Sequence, residues 1–261
     1  MPVAGGLYYE THGPADAPPL VLSAGLGGSG SYWLPNLPAL AAGHRVILYD
    51  HRGTGRSDRA MPATVGVDDF AADILTVLDA AGVERATVIG HAAGGVAGLA
   101  LAPAAPERLD RLVVVNGWAS PDPHFLRCFD TRLALLRNSG IEAFIRAQPL
   151  FLYPANWISE NMARLDAEAA TQLAHFPGAD TYEKRIAALA AFDITDRLAD
   201  IATPTLVLAA ADDMLVPSTA STKLAAGLPA ATHIAMAYGG HACNIVDPDG
   251  FAAVVLDFLG S

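Results

Sequence analysis

Short apolar runs alternate with longer stretches of helical periodicity along this chain. Runs rich in Val, Ile and Leu predict six strands, at residues 20–24, 45–49, 86–90, 111–116, 205–209 and 232–236. Because these runs are apolar throughout, they suit strands that are buried on both faces of a mostly parallel sheet. The pattern therefore predicts an α/β fold, a central sheet flanked by helices, with its site at the loops that follow the strands.

The alternation stops between about residue 121 and residue 191. This stretch carries Leu, Ala and Arg at helical spacing, is broken at Pro149, Pro154 and Pro177, and contains no convincing strand. We interpret it as a helical cap inserted into the sheet domain. The expected division is a first core part at residues 1–120, the cap at residues 121–191 and a second core part at residues 192–261.

Composition narrows the set of partners. The 261 residues are 52% hydrophobic and carry a formal net charge of −11, so the chain can bury a large core and lacks the basic surface that nucleic acid requires. No apolar run approaches the roughly 18 residues of a membrane span. We expect a small-molecule substrate, no nucleic acid and no membrane association, and the apolar composition is compatible with a homodimer.

Cysteine usage and the first residues bear on the compartment. Cys128 and Cys243 are too few for a disulfide framework and are interpreted as reduced thiols. Residues 1–6 lack the basic and apolar regions of a secretory signal, which predicts a cytoplasmic protein.

A glycine-rich run after the first predicted strand imitates a dinucleotide-binding motif. Residues 25–30 have the G-x-G-x-x-G spacing, and Asp50 follows about 20 residues later. That motif needs a helix starting within the glycines, whereas Pro35 and Pro38 fall where such a helix would run. We therefore interpret residues 24–28 as a loop whose backbone closely approaches a substrate oxygen, and we expect neither a nucleotide cofactor nor a metal.

Residues 90–94, Gly-His-Ala-Ala-Gly, contain every part of a nucleophile elbow except the nucleophile. Ala92 stands where the G-x-S-x-G pattern has serine. A methyl group cannot attack a carbonyl. Three interpretations stay open: an inactive chain, an engineered or natural loss of serine, or chemistry that needs no covalent intermediate. The neighbouring His91 is expected to point away from the substrate and to serve packing or a structural hydrogen bond.

An acid and a histidine follow later strands. Asp213 comes after the fifth predicted strand, and His241 follows two glycines beyond the sixth, so elbow, acid and histidine stand in the order found in hydrolases built on such a sheet. Asp212 is the alternative acid. Cys243 could replace the missing nucleophile, but it lies off the elbow and is interpreted as a buried, inert thiol.

Several motifs together resemble the α/β-hydrolase superfamily: residues 50–57, the elbow, Asp213 and His241. Within it, the chain resembles the carbamate hydrolases, earlier described as aminoacrylate hydrolases, of the Rut pathway of pyrimidine degradation. The resemblance covers nearly the whole length, cap included, and is most specific at residues 25–35, 148–157 and 238–244. An alanine can stand at the elbow in this family, which favours a native Ala92.

The resemblance implies roles for individual residues. His241 would be the acid/base and Asp213 its orienting carboxylate, while the backbone amides of Leu26 and Ala93 would form an oxyanion hole. The chain departs from many hydrolases by carrying Ala24 where a histidine is common. Further candidates for the substrate pocket, of which the aromatic members are equally well explained as core, are Gly25, Asn116, Trp118, Phe151, Tyr153 and Trp157.

The breakdown of carbamate does not require a serine at the elbow. Acyl transfer needs the nucleophile, whereas carbamate separates into ammonia and carbon dioxide once its nitrogen is protonated. The leading hypothesis is an enzyme that hydrolyses carbamate with His241 delivering the proton; in a competing version His241 activates a water. The alternatives are a hydrolase of aminoacrylate or of another small amide, ester or lactone whose serine Ala92 replaces, and a non-catalytic small-molecule binder.

Overall fold

The computed structural model describes residues 3–260, and its strands form one mixed sheet. The strands are β1 (Val3–Ala4), β2 (Leu7–His12), β3 (Pro19–Ser23), β4 (Arg45–Tyr49), β5 (Ala86–His91), β6 (Leu109–Val115), β7 (Thr205–Ala210) and β8 (Ala231–Met236). Their order in the sheet is β1-β2-β4-β3-β5-β6-β7-β8. Neighbours from β4 to β8 are parallel, and β1 and β2 pair antiparallel at one edge.

The six strands expected from the apolar runs are confirmed. Their ends shift slightly, most at β6, which begins at Leu109 instead of residue 111. The two edge strands, β1 and β2, are absent from the sequence prediction. β2 reads Leu-Tyr-Tyr-Glu-Thr-His and is only partly buried, so it lacks the continuous apolar run by which the inner strands are recognised.

Helices cover both faces of the sheet. They are α1 (Leu37–Ala41), α2 (Val67–Ala80), α3 (Ala93–Ala104), α4 (Pro123–Leu152), α5 (Ala155–Glu160), α6 (Met162–Ala174), α7 (Ala179–Ala191), α8 (Ser218–Gly227), α9 (Cys243–Val246) and α10 (Pro248–Gly260). Among the described residues, no helix combines the length and apolar character that crossing a membrane requires.

Alternate residues of the inner strands enter two separate hydrophobic cores. Val21 and Ile47 pack on the side of α2, α3 and α8, while Leu20 and Leu48 pack on the side of α1 and α10. Side chains of successive strand residues point to opposite faces, so each strand is apolar on both. This burial explains the continuous apolar runs and fixes the carboxyl ends of the parallel strands as one edge of the sheet.

Four helices, α4 to α7, lie between β6 and β7. Gly140, with φ 86° and ψ 177°, interrupts α4 and lets the chain change direction there. Leu136, Phe144 and Ile145 form a small core of their own, against which Tyr182 packs. The stretch assigned to the cap contains helices and no strand within the described residues, and its division from the core at residues 121 and 191 stays a prediction.

Candidate active site

The turn between β5 and α3 keeps the geometry of a nucleophile elbow. Ala92 has φ 45° and ψ −105°, a conformation that non-glycine residues rarely adopt. Its amide donates a hydrogen bond to the carbonyl of Val115 at 2.8 Å. A Cβ added to Gly90 would lie 2.3 Å from Gly94, and one added to Gly94 would lie 2.2 Å from the carbonyl oxygen of Ser23. The two glycines therefore allow α3 to pass close over the sheet.

Replacing Gly94 with alanine is expected to lower the free energy of unfolding by about 1–3 kcal/mol, the usual cost of overpacking. The better helix propensity of alanine, worth about 1 kcal/mol, opposes this loss without relieving the clash with rigid backbone. Denaturant unfolding measures the change. Gly43→Ala is the matched control, because a Cβ there meets nothing within 4 Å. Equal stability of the two variants would contradict the close passage of α3.

His241 and Asp213 form a buried pair at the carboxyl end of the sheet. The imidazole donates from Nδ1 to Oδ2 of Asp213 at 2.8 Å, with both side chains buried. The other carboxylate oxygen accepts the amides of Leu215 at 2.8 Å and Val216 at 3.0 Å. Because Nδ1 carries the hydrogen, the neutral imidazole presents the lone pair of Nε2 to a substrate.

Asp212 has a different partner. Its Oδ1 accepts the backbone amide of Gly240 at 2.8 Å, immediately before His241. It therefore holds the loop and does not contact the imidazole. The geometry selects Asp213 over Asp212 as the carboxylate for His241.

The carbonyl of His241 is held by two side chains. It accepts hydrogen bonds from the side-chain Nδ2 of Asn116 at 2.8 Å and from Nε2–H of His91 at 2.7 Å. Asn116, with φ 50°, also accepts the amide of Ala210 through Oδ1 at 2.9 Å. Both ends of the Asn116 side-chain amide therefore bind the loop and strand that carry the site, and its contact with substrate stays a prediction.

His91 has the structural role expected of it. Its ring stacks on Tyr32 with centroids 4.9 Å apart. Burial, followed by the neighbouring His241, holds the pKa of His91 well below its usual range, so the ring is neutral. Since Nε2 donates to a carbonyl, Nδ1 is the unprotonated nitrogen; it is buried without a partner and faces Gly25, where an added Cβ would lie 2.7 Å away.

The loop after β3 contains the proposed oxyanion donors. Gly28 donates to the carbonyl of Gly25 at 3.0 Å, which closes a tight turn around Leu26. Ala93 is the first residue of α3, so its amide has no acceptor within the helix and lies at the positive end of the helix dipole. Within residues 3–260, neither the amide of Leu26 nor that of Ala93 donates to a protein acceptor.

Arg185 of α7 fixes this loop from the cap side. Its Nε donates to the carbonyl of Leu26 at 3.0 Å and its Nη2 to that of Gly25 at 3.4 Å. In a trans peptide the C=O and N–H point in opposite directions, so the contact with Gly25 turns the amide of Leu26 away from Arg185. Nη2 also donates to Nδ1 of His51 at 2.8 Å, and burial lowers the pKa of His51, with a further effect of Arg185.

The aromatic pocket candidates separate into two groups. Trp118 and Phe151 pack in the same hydrophobic cluster as Ala92. Tyr153 and Trp157 stack with centroids 4.4 Å apart and pack in another cluster. Tyr153 also lines a cleft of about 190 Å³ within the cap. The second cluster also contains Ala242, the residue after His241, so both pairs pack against elements that carry the site, and a role for any of the four in the substrate pocket stays a prediction.

The remaining groups that could carry chemistry are the Cys243 thiol and possible metal ligands. Cys243 is buried, and burial raises the pKa of its thiol to about 12, which favours the inert form that we expected. Within residues 3–260, no group of three or more His, Cys, Asp or Glu side chains is placed to hold a metal ion.

Sequence reasoning missed two buried arginines, Arg132 and Arg185. Each is a charged residue on an otherwise apolar helical stripe: Arg132 lies three residues after Phe129 and four before Leu136, and Arg185 lies four before Leu189. A charge at such spacing was the available signal, because residues three or four apart share one helix face.

Comparisons with known proteins agree with this geometry. The family model described as alpha/beta hydrolase fold matches residues 18–145. A relative from Caulobacter sp. is 56% identical over 97% of this chain and 96% of its own, and one from Azorhizobium caulinodans is 52% identical over 100% and 98%; both are named "Putative carbamate hydrolase RutD".

Solved structures give the same fold. A hydrolase from Pseudomonas aeruginosa is 31% identical with a TM-score of 0.87, over 98% of this chain and 94% of that one. An enol-lactonase from Burkholderia xenovorans is 27% identical with a TM-score of 0.89, over 99% and 98%. With its mostly parallel sheet, its elbow and its His-Asp pair, the chain is a hydrolase that belongs to the RutD family of the α/β-hydrolase superfamily.

Proposed function

We propose that this chain hydrolyses carbamate to ammonia and carbon dioxide, as a step of pyrimidine degradation by the Rut pathway. One observation carries the proposal: the His241–Asp213 pair is intact and buried, whereas the elbow at Ala92 has no nucleophile. Such a site can still transfer protons, but it cannot form an acyl-enzyme. The names of the relatives support the same substrate.

The proposed reaction uses His241 as a general acid. Its protonated imidazole delivers a proton from Nε2 to the carbamate nitrogen; the C–N bond then breaks with its electron pair on nitrogen, so H₂N–COO⁻ and H⁺ give NH₃ and CO₂. Asp213 stabilises the imidazolium and keeps the ring in position. The amides of Leu26 and Ala93 hold the anionic oxygens, and the methyl group of Ala92 leaves room for them.

Ammonia release from freshly dissolved carbamate tests the proposal. Carbamate also decomposes unaided, so the initial rate with protein is compared with the rate in buffer at the same pH and ionic strength. We expect release that increases in proportion to protein concentration. Equal rates with and without protein would exclude catalysis and would favour the non-catalytic small-molecule binder. The paired acid and base speak against that alternative, because a binder has no use for them.

Labelled water separates proton delivery from attack by an activated water. Elimination gives carbon dioxide whose two oxygens both come from carbamate, whereas water attack gives bicarbonate with one solvent oxygen. We expect no solvent label in product trapped within the first turnovers. Label in the first product would replace the elimination mechanism with the one in which His241 acts as a base.

A second candidate function is hydrolysis of an ester, lactone or amide, including aminoacrylate. The elbow retains its strained turn at Ala92, and a structural relative is an enol-lactonase. Ala92→Ser restores the nucleophile to this turn. If acyl transfer was the ancestral reaction, hydrolysis of an aryl ester should rise by about 10²-fold or more above the parent chain. Continued inactivity of a folded Ala92→Ser variant would count against this candidate.

Arg185→Met is expected to lower kcat for carbamate by about 10-fold or more, approaching the 10²–10³ that loss of one oxyanion-hole donor costs. The reason is positional, because Arg185 holds the carbonyls of Gly25 and Leu26. Lys184→Met is the control on the same helix, since Lys184 pairs with Asp180. Steady-state kinetics and thermal unfolding check the result, and unchanged kcat in a folded variant would contradict it.

A further inference from the structure

Arg132 is a buried cation without a counter-charge. It lies on the apolar stripe of α4 and is 4% exposed. Within residues 3–260, no carboxylate lies within 4.0 Å of its guanidinium. Buried charges are normally paired because removing them from water is costly, and burial here lowers the pKa of Arg132 to about 10. No carboxylate of the described residues therefore offsets this cost.

The hydrogen-bonding donors of Arg132 are almost unused. Guanidinium has five N–H groups, and within residues 3–260 the one side-chain acceptor of Arg132 is Oε1 of Gln148, which accepts a hydrogen bond from Nη2. Gln148 is held in turn by donating to the carbonyl of Phe144 at 2.7 Å, so its oxygen is kept toward the arginine. Nε of Arg132 is buried and has no partner.

Aromatic rings enclose the guanidinium. Its carbon lies 5.5 Å from the ring centroid of Phe129, 6.0 Å from that of Phe144 and 5.7 Å from that of Phe151. Ring faces attract a cation, but they accept none of the N–H groups that lie in the guanidinium plane. These contacts keep the arginine charged and in place while leaving its in-plane donors for another acceptor.

One of these rings connects Arg132 with the histidine loop. Phe151 precedes Leu152, whose carbonyl accepts the amide of Ala242 at 3.0 Å. Ala242 directly follows His241. Phe151 also packs against the hydrophobic cluster that contains the elbow alanine. The ring beside Arg132 is therefore seated where the cap meets the candidate active site.

The acid loop lies on the same side of α4. Cys128, one helical turn before Arg132, has its sulfur 3.9 Å from the carbonyl of Met214, the residue after Asp213. Burial raises the pKa of the Cys128 thiol, Arg132 lowers it and Asp213 raises it, so both charges act on one sulfur. Arg132 thus lies on the face of the cap that is turned toward the catalytic pair.

We propose that Arg132 forms a carboxylate-binding subsite between cap and core, and that its ligand is a small monocarboxylate. Nε is unpartnered, and Nη2, on the same edge of the guanidinium, has a second N–H besides the one it gives to Gln148; together they can match the two oxygens of a carboxylate. The phenyl rings limit the size of the ligand and offer nothing to a polar neutral group. The inference rests on the proposed function, because carbamate is itself such an anion, and it names the group that recognises the charge.

Calorimetric titration with acetate and with acetamide, a neutral molecule of nearly the same shape, tests the subsite. The titrations use constant ionic strength, with chloride replaced by acetate. We expect acetate to bind the parent chain at least about 10-fold more tightly than acetamide does, since the charged group gains the stronger hydrogen bonds. Failure of acetate to bind, or equal affinity for the two, would overturn the proposal.

Arg132→Met provides the decisive variant because methionine keeps the volume and removes the charge. Acetate affinity should fall by about 10-fold or more, while thermal stability stays equal or rises, as replacing an uncompensated buried charge usually allows. Arg137→Met is the control, since Arg137 is an exposed cap arginine paired with Glu183. Acetate binding that survives Arg132→Met would overturn the subsite.

These measurements separate the subsite from the reaction. Acetate binding that depends on Arg132, in a protein that does not accelerate ammonia release, would overturn the carbamate reaction and keep the subsite. Accelerated ammonia release, with acetate binding that does not depend on Arg132, would support the carbamate reaction and overturn the subsite.

Discussion

Replacing His241 with alanine is expected to reduce protein-dependent ammonia release from carbamate by about 10²- to 10⁴-fold, the usual contribution of a positioned acid or base. The imidazole is the proton donor of the proposed reaction, and Asp213 holds it at 2.8 Å. The neighbouring His91 does not replace it, because burial keeps that ring neutral and its Nε2 donates to the carbonyl of His241. Initial rates, corrected for spontaneous decomposition, measure the effect.

The loss must be distinguished from a folding defect. His233→Ala removes an exposed histidine from β8 and should keep the parent rate. Circular dichroism and thermal unfolding show whether His241→Ala remains folded after the buried carboxylate loses its partner. A folded His241→Ala variant with the parent rate would exclude proton delivery by this residue.

Asp213→Asn is expected to lower turnover by a comparable factor, up to about 10⁴-fold as in the triad hydrolases in which the orienting carboxylate has been neutralised. The amide oxygen of asparagine can still accept the amides of Leu215 and Val216. Its NH₂ group then faces Nδ1 of His241, which selects the wrong tautomer and removes the negative charge that stabilises the imidazolium. The variant thus keeps the shape of the site and loses its electrostatics.

Asp212→Asn is the matched control for this experiment. Its amide oxygen can still accept the amide of Gly240, so the loop before His241 keeps its anchor. Turnover should stay within about threefold of the parent rate, as for surface substitutions that preserve a hydrogen bond. A large loss in Asp212→Asn together with a small one in Asp213→Asn would reverse the assignment of the acid.

The inner strands could be predicted because the signal for each lies in its own residues. Strands such as β3 and β5 are buried on both faces, and that burial requires an uninterrupted apolar run that can be read directly. The edge strand β2 could not be read in this way. Its pairing with β4 depends on the presence of a neighbouring strand, and its half-exposed residues carry a mixed pattern.

The residues of the candidate site could be predicted, but their hydrogen-bond partners could not. The glycines of the elbow and the position of His241 after a strand mark where the site lies. The sequence favoured Asp213 and left Asp212 as the alternative, because the turn that follows decides which carboxylate meets the imidazole. The hydrogen bonds of Asn116 could not be predicted for a related reason, since they reach residues more than 90 positions away.

Sequence alone determined what is chemically missing. Side-chain identity is fixed by the covalent chain, so Ala92 removes the serine nucleophile from the elbow whatever the packing around it. Only the tertiary structure decided how the remaining polar and charged groups are arranged. Arg185 is buried by contacts between the cap and the core. Arg132 is buried among side chains of α4 that the bend at Gly140 brings together. Helical periodicity places both arginines on apolar stripes but does not show that they are buried, because desolvation depends on the packing around them.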